Sequence, residues 1–210
     1  MKALFKAGVA VLVAMASSSV YAGGYLEGRF VSTALEAEDG VDKFEAESTG
    51  FEFRGSADLS DRAGVRFSYV AVDGDEVEVN GDSFDLDFTL KLLRVGPTVN
   101  FTEVGGNAHF YGVAEYVRFT SGAEGENDTE SGFDVGIGFK DAGKTGFLWD
   151  AELGYLKVKD AKGVFLQGSL GYRFNSTFAL LAGVQSYATE DDDNIEEVYA
   201  NATLGARISF

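Results

Sequence analysis

The sequence predicts an all-β chain folded as a transmembrane antiparallel up-and-down β-barrel of ten strands, with eight as the alternative. Three observations carry that expectation. Apolar and polar residues alternate with period two along nearly the whole chain, and clusters of Gly, Asp, Asn and Ser interrupt the alternation at regular spacing. The alternating segments are also long, mostly about 10 to 15 residues. Strands of soluble sandwiches average about 5–6 residues, whereas a tilted strand needs roughly 9–11 to cross a bilayer.

Residues 1–22 stand apart. Lys2 and Lys6 precede an apolar stretch from Ala7 to Ala16, then Ser17 to Ser19 and Val20-Tyr21-Ala22, with small side chains at −3 and −1. That is the layout of a Sec-type signal peptide cleaved after Ala22. The apolar stretch falls short of the ~20 residues of a spanning helix. The chain from Gly23 onward is expected to be one barrel domain, 23–210.

Ten segments follow, at about 24–36, 48–58, 63–73, 82–96, 107–120, 131–140, 145–157, 163–174, 177–189 and 197–210. The first two pair Glu27 and Arg29 with an apolar opposite face, and set Phe51 and Phe53 against Glu52 and Arg54. The third opposes Val65, Phe67 and Tyr69 to Arg66 and Ser68. In the fourth, Phe84, Leu86, Phe88, Leu90 and Leu92 oppose Asp85, Asp87 and Lys91, which predicts those three charges on the lumen side. The fifth cannot be phased, because Glu115 and Arg118 fall on opposite faces. Segments six to eight set Asp134, Asp150, Glu152 and Arg173 against Phe133, Ile137, Leu153, Leu166 and Tyr172. The last places Arg207 opposite Leu204, Ile208 and Phe210. Small residues on the polar faces (Gly136, Gly138, Gly154, Ser169, Gly205) suit a narrow lumen, and aromatic residues near the segment ends suit an interfacial belt. The apolar faces are therefore expected to meet lipid and the polar faces to enclose the lumen.

The connections alternate in charge. Those at 36–47, 73–82, 120–130, 157–162 and 189–197 hold 22 of the 34 acidic residues and four of the 17 basic ones. The intervening set is nearly neutral. With an even strand number the acidic connections share one end, opposite the termini, and as the longer loops they are expected outside the cell.

The chain closes on Thr203-Leu204-Gly205-Ala206-Arg207-Ile208-Ser209-Phe210. A polar residue, then Gly, then alternating apolar positions ending in Phe resembles the signal read by the outer-membrane assembly machinery, carried here by Thr203, Gly205, Ile208 and Phe210. In overall pattern the chain from Gly23 resembles the small Gram-negative outer-membrane barrels of the OmpA and OmpX type, from which it departs in showing ten segments where eight are usual. The resemblance implies an outer-membrane location, lipid and lipopolysaccharide as surroundings, and the barrel-assembly machinery as a partner.

Composition excludes several functions. Without Cys there is no disulfide scaffold, thiol nucleophile or Cys-ligated zinc, and a net charge of −17 argues against nucleic acid. The acids Asp73, Asp75, Glu76, Asp191, Asp192 and Asp193 are candidate ligands for a divalent cation, without EF-hand spacing; a solvated, self-repelling surface is the plainer reading. His109, the one His, lies at the end of the barrel away from the acidic connections, and no hydrolase or phosphate-binding motif occurs. No cofactor and no enzymatic activity are expected. The near balance of acids and bases facing the lumen favours cross-pairing over an open aqueous path. The expected function is a non-enzymatic barrel whose acidic loops serve envelope integrity or surface contact, with a small porin for cationic solutes as the alternative.

Overall fold

The computed structural model describes residues 23–38, 42–104, 108–123, 126–141, 143, 145–191 and 195–210. Residues 1–22, and with them the expected signal peptide, lie outside the described residues. Ten strands run in chain order: β1 (Gly24–Glu38), β2 (Lys43–Asp58), β3 (Ala63–Val79), β4 (Asp82–Val104), β5 (Ala108–Ala123), β6 (Glu126–Asp141), β7 (Gly146–Val158), β8 (Ala161–Arg173), β9 (Phe178–Glu190) and β10 (Glu196–Ser209). Each pairs antiparallel with its neighbours in sequence, and β1 pairs with β10, so the sheet closes into a ten-strand barrel. At the seam the Gly24 and Phe210 backbones exchange N–H···O bonds of 3.1 Å in both directions. Full closure leaves no strand edge, the condition for a sheet to survive in lipid.

The pleat puts the polar side in and the apolar side out. Glu52 is 0% exposed between Phe51 at 62% and Phe53 at 55%. Among the described residues 28 large apolar side chains are exposed on this scale. Held in water, each would forgo on the order of 1 kcal/mol of burial, a total above the 5–15 kcal/mol that stabilises a typical fold. Hydrocarbon removes that deficit. At the end that holds the termini, ring contacts link Phe101, Phe110 and Phe139, and also Phe147, Tyr172, Phe174 and Phe178, as an interfacial belt does. Towards the far end the outward faces of β4, β5, β7 and β8 change to Lys91, Arg118, Lys157 and Lys162, the last two directly opposite each other. These four mark the upper edge of the apolar band.

The strands overshoot that band. Their lengths run from 13 to 23 residues, with β4 the longest. At about 3.3 Å per residue and a tilt near 40°, the shortest already matches the ~30 Å of hydrocarbon. The stretches expected as long acidic loops are therefore largely strand. Glu36, Glu38, Glu45, Glu47, Asp73, Glu76 and Glu78 sit on ladders that continue past the membrane, and Asp75 falls at the register shift between Gly74 and Glu76. The β3–β4 connection shrinks to Asn80-Gly81, both at positive φ (54° and 89°), the residue pair a two-residue hairpin demands. The alternation Glu76-Val77-Glu78-Val79 carries the pairing outward, with Val77 buried against Ala46.

The fourth segment is the other departure. Val70 and Val72 are buried inside the barrel, and their partners across β3–β4 are Leu92 and Leu90. The apolar face of β4 turns inward at this level, so Lys91 falls on the opposite, outer face. Asp85 and Asp87 are exposed on the part of β4 beyond the band, past a register shift between Gly74 and Glu76. Asp85 and Asp87 do not face the lumen as expected, and Lys91 borders the interior cavity only from the outer phase of the strand, between Leu90 and Leu92. The lumen at this height is lined with aliphatic side chains, which inverts the usual relation between polarity and face.

Candidate functional site

The interior divides into two levels. The level nearer the termini is filled by charged side chains that neutralise one another. Glu27 takes Arg29 on one side at 2.6 Å and Arg207 on the other. Glu52 accepts from Arg54, which reaches Gln167 at 3.2 Å, and from Gln185 at 3.2 Å. Arg66 donates through Nε and Nη2 to both oxygens of Glu115, at 2.9 and 2.7 Å, and also through Nη2 to Glu152 at 2.7 Å. Arg94 donates to Asp134 at 2.7 Å and approaches Glu115 to 3.0 Å, while the Tyr111 hydroxyl donates to Glu152 at 2.7 Å. Asp150 pairs with Ser169, and Arg173 with Asp141. Alternation on adjacent strands aims these groups at one axis, and a desolvated charge persists there only with a partner. Glu52, Asp134 and Glu152 are at most 2% exposed, so water reaches the centre of this network from neither end. Side chains fill the lumen at this level.

Glu27, Arg29, Glu52, Arg54, Arg66, Asp134, Asp150, Glu152, Arg173 and Arg207 thus stand inside the barrel. The fifth segment gains a phase: Glu115 is buried inside with Tyr111, Val113 and Val117, and Arg118 is exposed outside. Arg94, Tyr111 and Gln185 are interior members that the sequence reading missed, and Gln167 joins them. The signal for Arg94 was the run Leu92-Leu93-Arg94-Val95-Gly96, whose period-two phase puts Arg94 beside Gly96 on the polar side. Phasing β4 from Phe84 hid it.

Above the network lies a cavity of about 590 Å³ that opens at the far end. Its walls are Val70, Val72, Leu90, Leu92, Phe119, Leu156, Val158, Tyr187 and Tyr199. Phe165 packs against this group, with the Arg94 guanidinium 4.6 Å from its ring centroid, so the plug forms the cup's floor. Gly154 makes room for that floor, because a Cβ there would lie 2.4 Å from the Phe165 ring. The rim carries Asp128, Glu130, Asp160, Asp191 and Glu197, with Lys159 held by Glu130 at 2.8 Å. Burial first, then the charges of Asp191 and Glu130, raises the Glu197 carboxyl above the ordinary glutamate range. Outside the rim, hydrogen bonds from Lys43 to Glu36 and Glu45, at 2.8 and 2.7 Å, hold its ammonium protonated beyond the usual lysine range.

The other candidates are dispersed. Asp73, Asp75 and Glu76 are exposed on a strand whose successive side chains point to opposite faces, and Asp191 accepts the Ile195 backbone N–H. Asp192 and Asp193 lie outside the described residues. Among the described residues no group of three or more His, Asp or Glu is disposed to hold a metal ion. His109 pairs with Lys140 at the end away from the cup. In the C-terminal motif Thr203 is buried and accepts from Arg29 at 3.3 Å, Gly205 lies against the Arg29 side chain, and Ile208 and Phe210 face outward.

No family model matches the chain, and no curated protein matches it. Solved structures do. An outer membrane channel from Pseudomonas putida F1 is similar over 90% of this chain and 95% of its own, with TM-score 0.50 and 12% identity. The outer membrane protein OprG from Pseudomonas aeruginosa covers 90% and 96% at TM-score 0.48 and 10% identity. The attachment invasion locus protein Ail of Yersinia pestis covers 91% and 100% at 0.43 and 15%. The likeness is one of fold: a closed antiparallel barrel of the outer-membrane kind.

Proposed function

We propose that this chain is an integral outer-membrane barrel, non-enzymatic and closed to conduction, that presents the acid-rimmed cup to the cell exterior for surface interaction and envelope integrity. The observation that carries this is the buried ion-pair network beneath the cup, with Arg66 and Arg94 spanning between Glu115, Glu152 and Asp134. Isolated charges along a water-filled path would not need such partners; these are buried and ion-paired, with Arg94 Nη2 and Asp134 Oδ1 left without a hydrogen bond. Lys91, Arg118, Lys157 and Lys162 support contact with lipopolysaccharide: they ring the upper edge of the apolar band, form no ion pair among the described residues, and meet headgroup phosphates there.

Planar-bilayer recording tests the closed lumen. The purified barrel is expected to add no unit conductance steps. Stable steps with cation preference would favour the second reading, a narrow pore for small cationic solutes. The acid rim suits that reading, which requires the network to rearrange.

A further inference from the structure

We infer that the cup binds a small organic cation with an apolar body, of the quaternary-ammonium or protonated tertiary-amine class. The inference deepens the proposed surface role and rests on the cup being open to solvent.

Size comes first. About 590 Å³ lies within the range of small-molecule sites, roughly 300–1,000 Å³. The aliphatic wall of Val70, Val72, Leu90 and Leu92 offers no hydrogen bonds, and the neighbouring Thr33 hydroxyl is already bonded to Asn201 at 2.7 Å, which disfavours a sugar or a hydrated metal ion along that side. An apolar body fits there.

Charge selects the rest of the ligand. Phe119, Tyr187 and Tyr199 line the same cavity, and Phe119 and Tyr199 stand edge to face with centroids 6.0 Å apart. Aromatic walls attract a cation that keeps little hydration, the arrangement used for quaternary ammonium groups. Asp128, Asp160 and Glu197 add negative potential from the rim, while Lys159 is already neutralised by Glu130. Burial is the main cause that raises Glu197; the smaller part due to Asp191 and Glu130 would be relieved by a bound cation. Arg94 below could repel one, but Asp134 at 2.7 Å and Glu115 at 3.0 Å offset its charge. The acid rim and the aromatic wall favour a cation over an anion, the floor is neutralised by its own pairs, and Lys91 borders the cavity from the outer phase of its strand.

The experiment is calorimetric titration of the intact barrel in zwitterionic nanodiscs with benzyltrimethylammonium, beside its neutral isostere neopentylbenzene. The expected result is saturable cation binding at least tenfold tighter than that of the isostere. Glu197→Gln combined with Asp160→Asn should weaken cation binding roughly tenfold and leave the isostere unchanged. Tyr199→Leu should weaken the cation more than the isostere. These positions sit at the rim and wall, and the shift in gel migration between boiled and unboiled samples checks that each variant is folded. Equal affinity for cation and isostere, or no saturable binding to the folded protein, overturns the inference. Conductance steps without ligand would refute the closed lumen instead, whatever the titration shows, so the two failures are distinguishable.

Discussion

Arg66 on β3 grips the Glu115 carboxylate on β5 with two hydrogen bonds, 2.9 Å through Nε and 2.7 Å through Nη2, across the intervening β4. The same guanidinium reaches Glu152 on β7, so one side chain ties three strands together. Removing it leaves two buried carboxylates with Arg94 as their remaining guanidinium. Arg66→Ala should lower unfolding free energy by about 3–5 kcal/mol, the usual cost of breaking a buried pair. Urea unfolding in lipid vesicles measures this, and Arg66→Ala with Glu115→Gln should recover part of the loss.

Gly154 and Gly28 make a matched pair. A Cβ at Gly154 would lie 2.4 Å from the Phe165 ring and 2.5 Å from the Val135 carbonyl, whereas nothing lies within 4 Å of one at Gly28. Gly154→Ala should cost about 1–3 kcal/mol from overpacking. Gly28→Ala should leave the melting temperature unchanged or raise it slightly. Equal effects would mean that Phe165 does not occupy the space over Gly154.

Lipid contact can be tested at Leu166, which is 57% exposed midway along β8 and pairs with Leu153 of β7. Leu166→Arg should destabilise the barrel in phosphatidylcholine vesicles by about 2–4 kcal/mol, as expected for a cation near the bilayer midplane. Were this face solvated, the change would be nearly neutral.

The raised carboxyl of Glu197 sets a pH dependence. Folding favours its protonated form, so the folded state binds more protons than the unfolded state between the ordinary glutamate pKa and the raised one. Stability therefore falls as pH rises through that window, and the penalty is fully present above it. Glu197→Gln should melt higher than wild type at pH 8, with the gap closing below the ordinary glutamate pKa. A gap independent of pH would show that the carboxyl is not the cause.

The barrel was legible because its signal is repeated ten times. Period-two alternation such as Phe51-Glu52-Phe53-Arg54 states both the strand and its faces. Which carboxylate meets which guanidinium was not legible, since Arg66 reaches Glu115 and Glu152 from positions 49 and 86 residues away. The cup escaped for a different reason. At Leu90 and Leu92 an apolar face turns inward, and one chain segment alone does not tell lipid from an apolar lumen. Only the partners Val72 and Val70 across the ladder resolve it. The acidic stretches looked like loops because charge density marks exposure, and a strand beyond the membrane carries charge on its exposed face while Ala46 and Val77 stay buried on the other.

The bond between Gly24 and Phe210 gives the wall a single hoop, finished by its first stave meeting its last. No arc of eight or nine staves is a smaller version of the whole, because both rims of such an arc would expose bare amides to oil. Only the full ring leaves every wall amide satisfied in oil.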